Sequence, residues 1–211
     1  MLAFGILWAC FHFHSQRQKQ SIWMGKTFYM LVCKEENIQV GTHEAQLSGG
    51  AGYLFSQKGE EYVALSVYLE KSEGEQACAN VNAYGKEAEL LVLPIERLVF
   101  KGKAEEKKAK LCQDALNSLY GCMQVLSKEI ARLDNGATQQ SSRRILGILS
   151  RQFSYLAKTY EESYPSFSSV CTKADAFLQE CMNDIIYTKE LRYLLCALSD
   201  DYLQLAFVYF V

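Results

Sequence analysis

The sequence is poor in proline and has no surplus of basic residues. It contains 2 prolines, Pro94 and Pro165, and its formal net charge is −2. Scarce proline, together with 49% hydrophobic residues, indicates little disorder and allows a sizeable core. The missing basic surplus argues against a nucleic-acid-binding protein, because such proteins contact phosphates through clustered lysine and arginine.

Catalytic and metal-binding patterns are also missing. The three histidines, His12, His14 and His43, have no evident cysteine or serine partner and no zinc-ligand spacing. The glycine-rich stretch LSGGAG (47–52) ends a predicted helix and opens a strand. A phosphate-binding loop has the reverse order, since it follows a strand and opens a helix. We therefore predict no enzyme, no metal and no cofactor, and we expect the glycines to end a helix.

The 8 cysteines include no Cys-x-x-Cys pair. Most are expected to be small buried hydrophobic residues. Two pairs, Cys112 with Cys122 and Cys171 with Cys181, are each ten positions apart, which places the partners on roughly one face of a helix. One or two disulfides stay open as an alternative if the protein lies outside the cytoplasm.

The N-terminal segment 1–13, MLAFGILWACFHF, is apolar. It is shorter than the roughly 20 residues that a membrane-spanning helix needs, and no positive residues precede it as in a signal peptide. Two interpretations remain, a truncated single-pass membrane anchor, which we favour, and a short apolar arm. A polar linker over 14–25 follows.

Residues 26–95 alternate between strand and helix patterns. We predict strands at 26–34, 51–57, 61–69 and 87–93, and helices at 36–48 and 73–84. Ser72 is the expected cap of the second helix, and a turn at 58–60 joins the middle strands. The order βαββαβ predicts an α+β fold with a split βαββαβ four-stranded antiparallel sheet and two helices on one face.

The helical pattern continues to the C-terminus after a connector at 94–102. Apolar residues recur at steps of three and four over 104–134, from Thr138 to Tyr160, and from about 168 to 205. These stripes predict a three-helix C-terminal bundle within a helical domain spanning 104–211. A homodimer or a protein partner held through these helices is expected.

Two short stretches carry a family resemblance. The first strand contains FYMLV (28–32), and the third, EYVALSVY (61–68), precedes a helix with the sequence EQA (75–77). Together with the βαββαβ order, they resemble the SPOR (sporulation-related repeat) domain of spore-forming bacteria over about 26–95. The resemblance implies a non-catalytic extracytoplasmic module behind a single membrane anchor. It also implies binding of peptidoglycan glycan strands on the open face of the sheet.

The resemblance offers four candidate glycan-stacking residues, Tyr29, Tyr53, Tyr62 and Tyr68. Alignment to the family pattern assigns two sets of side chains to the open face. They are Tyr29, Leu31 and Cys33 from the first strand, and Val63, Leu65 and Val67 from the third. Most of these are apolar, and a sheet that is apolar on both faces is normally covered on both. We therefore expect the C-terminal helices to cover this face.

These expectations favour a membrane-anchored cell-envelope or sporulation protein, located on the extracytoplasmic face. Its SPOR-like domain would mediate protein interaction or weak peptidoglycan binding. The alternative is a soluble domain of ferredoxin-like plan that senses a small metabolite at a dimer interface.

Overall fold

The computed structural model describes residues 20–23, 25–34, 37–95, 98–101 and 103–210. The predicted apolar segment 1–13 lies outside the described residues. The strands are β1 (Gln20–Trp23), β2 (Thr27–Cys33), β3 (Tyr53–Gln57), β4 (Glu60–Tyr68), β5 (Ala88–Pro94) and β6 (Leu98–Lys101). The helices are α1 (Ile38–Leu47), α2 (Lys71–Ala83), α3 (Lys103–Asp134), α4 (Gln139–Tyr160), α5 (Pro165–Asn183) and α6 (Thr188–Phe210).

Strands β2 to β5 form one antiparallel sheet in the order β3-β4-β2-β5. Helix α1 connects β2 to β3, and α2 connects β4 to β5. The predicted α+β class and the split βαββαβ sheet are therefore confirmed. Gly49 follows α1 with a φ of +85°, a conformation that glycine adopts without steric cost, so the expected helix-ending role is confirmed as well.

The connections within this unit follow their local sequence, with one exception. Lys58 and Gly59 both have positive φ, 53° and 83°, as a two-residue type I′ hairpin requires. The predicted cap at Ser72 is wrong, because α2 begins at Lys71, two residues before the predicted start. Glu70 occupies the N-cap position there and makes no side-chain capping hydrogen bond.

A second, two-stranded sheet lies outside the predicted elements. Strand β1 falls in the stretch interpreted as a linker, 14–25, and β6 falls in the connector, 94–102. The two strands pair antiparallel, with Gln20 opposite Lys101 and Trp23 opposite Leu98. Each has only 4 residues, which is too short for an alternating pattern to be recognised in one sequence.

The C-terminal part has four helices where three were predicted. The third predicted helix, 168–205, is divided between α5 and α6. Side chains of α4 hold the intervening loop, because Gln139 bonds both the N–H (2.9 Å) and the carbonyl (3.1 Å) of Ile186. Arg143 donates to the carbonyl of Asp184 at 2.6 Å. These contacts come from distant residues, so the local pattern could not predict the break.

The helical bundle packs on one face of the four-stranded sheet. That face presents Phe28, Met30 and Val32, which are fully buried. The Phe28 ring lies 6.1 Å from the ring of Tyr120 in α3 and 5.2 Å from that of Tyr202 in α6. One continuous apolar core joins sheet and bundle, so the prediction that the helices cover the sheet's open face is confirmed.

The side chains on the covered face are not the ones predicted. Tyr29, Leu31 and Cys33 were expected beneath the bundle, but they lie on the opposite face, under α1 and α2. A Cβ atom at Gly74 of α2 would be 3.3 Å from the Tyr29 Cβ atom. The assignment was wrong because both sets of alternating side chains are apolar, so periodicity could not distinguish the two faces.

A β-bulge in β4 changes the second predicted set. Leu31 pairs with Ser66, whereas the next residue, Val32, pairs with Ala64. Leu65 is therefore the extra residue, and alternation restarts one position later. Val67 consequently pairs with Met30 on the bundle face, and the prediction that it shares a face with Val63 and Leu65 is wrong.

Cys112, Cys122, Cys171 and Cys181 are buried free thiols. The disulfide alternative for Cys112, Cys122, Cys171 and Cys181 is therefore not realised. Within the described ranges, none of the helices combines the length and apolar content needed to cross a membrane.

Candidate functional site

The four candidate glycan-stacking tyrosines lie on two different faces. Tyr29 and Tyr68 are opposite one another on β2 and β4, on the side of α1 and α2. Tyr53 and Tyr62 pack against the core shared with the bundle. The structure thus does not bring the four rings together on one surface.

Tyr53 is engaged in contacts with α6. Its hydroxyl lies 2.8 Å from Asp200 Oδ2, to which it donates a hydrogen bond. Its ring meets the Tyr193 ring edge-on at a centroid distance of 5.3 Å. Burial and this hydrogen bond raise the pKa of the Tyr53 hydroxyl above its usual range. These contacts give Tyr53 a role in joining the sheet to the bundle.

A cleft between α1 and α2 combines apolar side chains with hydroxyl and cationic groups. Its cavity volume is about 350 Å³, within the range of small-molecule sites. Hydrophobic side chains from the sheet and from α2 line part of it, and hydroxyl and cationic groups line the rest. The lining residues are Leu31, Ser48, Gly49, Gly50, Leu65, Ser66, Tyr68, Val81, Tyr84, Lys86 and Arg192.

Two local features of the sequence shape this cleft. The bulge in β4 directs both Leu65 and Ser66 to the α1 side of the sheet, and bulges often re-aim side chains in this way next to functional sites. The glycine pair at 49–50 adds backbone without side chains. A Cβ atom at Gly50 would lie 3.2 Å from Leu65 Cδ2, so a larger residue there would crowd the floor of the cleft.

Arg192 comes from α6 and connects the cleft to the bundle. Its Nη1 donates to the Gly49 carbonyl at 2.5 Å and to Thr188 Oγ1 at 3.1 Å. Its Nη2 lies 2.5 Å from Asp134 Oδ2 at the end of α3. The side chain is only 20% exposed. Arg192 is therefore held in place by the turn after α1, by Thr188 of its own helix and by Asp134 at the end of α3.

The lining carries positive charge. It includes Lys86 and Arg192 and no carboxylate, although Asp134 neutralises part of the Arg192 charge. Burial raises the pKa of the Tyr68 hydroxyl, and the Arg192 charge opposes that shift in part. At neutral pH the tyrosine is therefore an uncharged hydroxyl, and the cleft presents hydrogen-bond donors and cations to a ligand.

The described residues do not bring a set of catalytic side chains together. No group of three or more histidine, cysteine, aspartate or glutamate residues among the described positions could hold a metal ion. His43 is exposed on α1. Burial raises the pKa of the Cys112 and Cys171 thiols to about 12, so they carry little thiolate at neutral pH. The arrangement is suited to binding.

Comparisons with protein families, with curated proteins and with solved structures find no match. The cleft therefore has to be interpreted from its own geometry. Sequence reasoning singled out Gly49 and Gly50 but missed Lys86 and Arg192. The local indication of the cleft in the sequence was the glycine pair after a short helix. It did not indicate that α6 supplies Arg192.

Proposed function

We propose that this protein is a non-catalytic ligand-binding module, with the cleft between α1 and α2 as its site. The observation that carries the proposal is the lining of the cleft. A floor made by Leu31, Leu65 and Val81 would bury the apolar part of a small molecule. The hydroxyl and cationic groups around it would fix the orientation of the ligand.

The core shared by sheet and bundle supports a sensing role. Arg192 contacts both the cleft and Asp134 of α3, so a ligand that contacts Arg192 acts on the junction between the two parts. A ligand that favours one arrangement of this junction would shift its population. The proposed site lies within one chain, unlike the dimer interface expected from the sequence.

A ligand screen by thermal unfolding tests the proposal. A molecule that binds the folded chain raises the unfolding temperature in proportion to the logarithm of its concentration. The variant Val81→Trp would fill the apolar part of the cleft from the half-buried surface of α2, and we expect it to abolish that response. A shift that persists in Val81→Trp would locate binding elsewhere and would contradict the proposed site.

A SPOR-like cell-envelope protein is the second candidate. The strand order β3-β4-β2-β5 and the FYMLV stretch support it. The bundle on the sheet face that the family uses for glycan favours the form that binds a protein partner. Its extracytoplasmic location depends on the truncated membrane anchor expected at 1–13, which lies outside the described residues.

A pulldown with glycan strands lacking stem peptides tests this second candidate. Retention that is lost on replacing Tyr29 and Tyr68, but not Tyr53, would support glycan binding on the α1 side of the sheet. Absence of retention would leave the partner-binding form. Sedimentation of the purified chain would test the expected homodimer.

A further inference from the structure

We infer that the cleft binds a small organic anion with an apolar body, such as an aromatic carboxylate. The inference rests on the proposed ligand-binding function and specifies the chemistry of the ligand. It is carried by the unused hydrogen-bonding capacity of Arg192, by the charge of the lining and by the apolar floor.

Two N–H donors of the Arg192 guanidinium group are not used in hydrogen bonds to the described residues. A guanidinium group has five N–H donors, and the hydrogen bonds to Gly49, Thr188 and Asp134 use three of them. The other two have no hydrogen-bond partner among the described residues. Because the side chain is already held by Thr188 of its own helix, by Asp134 of α3 and by the turn after α1, a carboxylate that accepts these donors costs little side-chain entropy.

Charge selects an anion over a cation. Lys86 is exposed at the rim of the cleft and contributes a cationic side chain to its lining. The carboxylate of Asp134 faces Arg192 from α3, and the two groups are close to neutral as a pair. The net charge around the cleft is therefore positive, and a monovalent anion is matched better than a multiply charged one.

The apolar floor of the cleft favours a ligand that has an apolar organic group. Leu31 is 2% exposed, and Leu65 and Val81 contribute apolar surface next to it. Tyr68 adds a ring to the wall, against which a flat apolar group can pack, whereas Tyr84 is 90% exposed and lies at the edge of the cleft. Inorganic phosphate would leave this surface uncovered, so its binding is expected to be much weaker.

The test compares phenylacetate with its neutral isostere phenylacetamide, and with inorganic phosphate, on the full chain. Ligand-observed NMR titration gives each dissociation constant. We expect phenylacetate to bind at least about tenfold more tightly than either of the others, which is the contribution of a single charge-assisted contact. We also expect its affinity to fall as the salt concentration rises.

Variants then locate the binding. Arg192→Gln and Lys86→Gln are each expected to weaken phenylacetate binding and to leave phenylacetamide binding nearly unchanged. Lys86 is exposed, so its replacement keeps the test valid if Arg192→Gln fails to fold. Arg151→Gln is the matched control, because it removes the same charge from the exposed surface of α4, and it is expected to have no effect.

The outcomes distinguish the two proposals. Equal affinity for phenylacetate and phenylacetamide would overturn the anion inference and leave the ligand-binding function standing. Tighter binding of inorganic phosphate would overturn the requirement for an apolar body. If no probe binds and the thermal screen also finds no ligand, both proposals are wrong.

Discussion

Replacing Phe28 with alanine should weaken the whole protein, because this residue connects the sheet to the bundle. Phe28 is fully buried. Its ring contacts Tyr202 edge-on at 5.2 Å and Tyr120 at 6.1 Å. Truncation of a buried phenylalanine to alanine costs about 3–5 kcal/mol. For a chain of this size the unfolding temperature should then fall by roughly 6–20 °C.

Urea unfolding followed by circular dichroism measures the loss of stability, and hydrogen exchange read by mass spectrometry locates it. We expect faster exchange in both β2 and α6, since their side chains share one core. Tyr155→Ala is the matched control. That tyrosine is 63% exposed on α4, and its loss should change stability by no more than about 0.5 kcal/mol.

Two results would refute the reasoning. A loss below about 1 kcal/mol for Phe28→Ala would mean that the ring is not packed as described. Faster exchange confined to β2, with α3 and α6 still protected, would mean that the bundle folds independently of the sheet. The covered face would then be a contact between two separate units.

Three further predictions concern buried polar groups. Tyr53→Phe removes the hydrogen bond to Asp200 and should cost about 1–3 kcal/mol in urea unfolding near pH 7. Because the folded-state pKa of Tyr53 is raised, the stability of the wild-type protein should fall above about pH 10. Tyr53→Phe should show a weaker fall, and equal pH dependence of stability in the two proteins would contradict this. Burial raises the pKa of Asp201, so its contribution to stability is full below about pH 4 and is lost as pH rises. Asp201→Asn should therefore stabilise the protein at pH 7 and not at pH 3.5, and a destabilised variant at pH 7 would argue against this. Glu129 is 1% exposed and pairs with Arg132 at 2.6 Å. Arg132→Gln should therefore lower the free energy of unfolding by about 1–3 kcal/mol, because it leaves a buried carboxylate without its partner. Adding Glu129→Gln to this variant should restore part of the lost stability.

The sequence predicted the sheet unit well, because each of its elements has a local signal. Runs of aromatic and β-branched residues mark β2 and β4, positive-φ turn residues at Lys58 and Gly59 mark the hairpin, and Gly49 marks the end of α1. These signals agree with one another and with the order of a split βαβ unit. The four-residue strands β1 and β6 carry no comparable signal, and they were missed.

Which face of the sheet the bundle covers could not be predicted. Both alternating sets on β2 are apolar, Phe28, Met30 and Val32 on one side and Tyr29, Leu31 and Cys33 on the other. The bulge at Leu65 then reverses the later part of β4. Bulges depend on the pairing of two strands, so one strand read alone gives no indication of them.

The cleft depends on contacts between residues that are far apart in the sequence. Arg192 and Gly49 are 143 positions apart, and the hydrogen bond between them exists only because α6 packs on the sheet. The same guanidinium is held by Asp134 at the end of α3. Any change that moves α3 relative to α6 must therefore change the position of the Arg192 guanidinium in the lining of the cleft. By linkage, if loss of this packing weakens binding of the proposed ligand, the ligand stabilises the packing of the bundle on the sheet to the same extent.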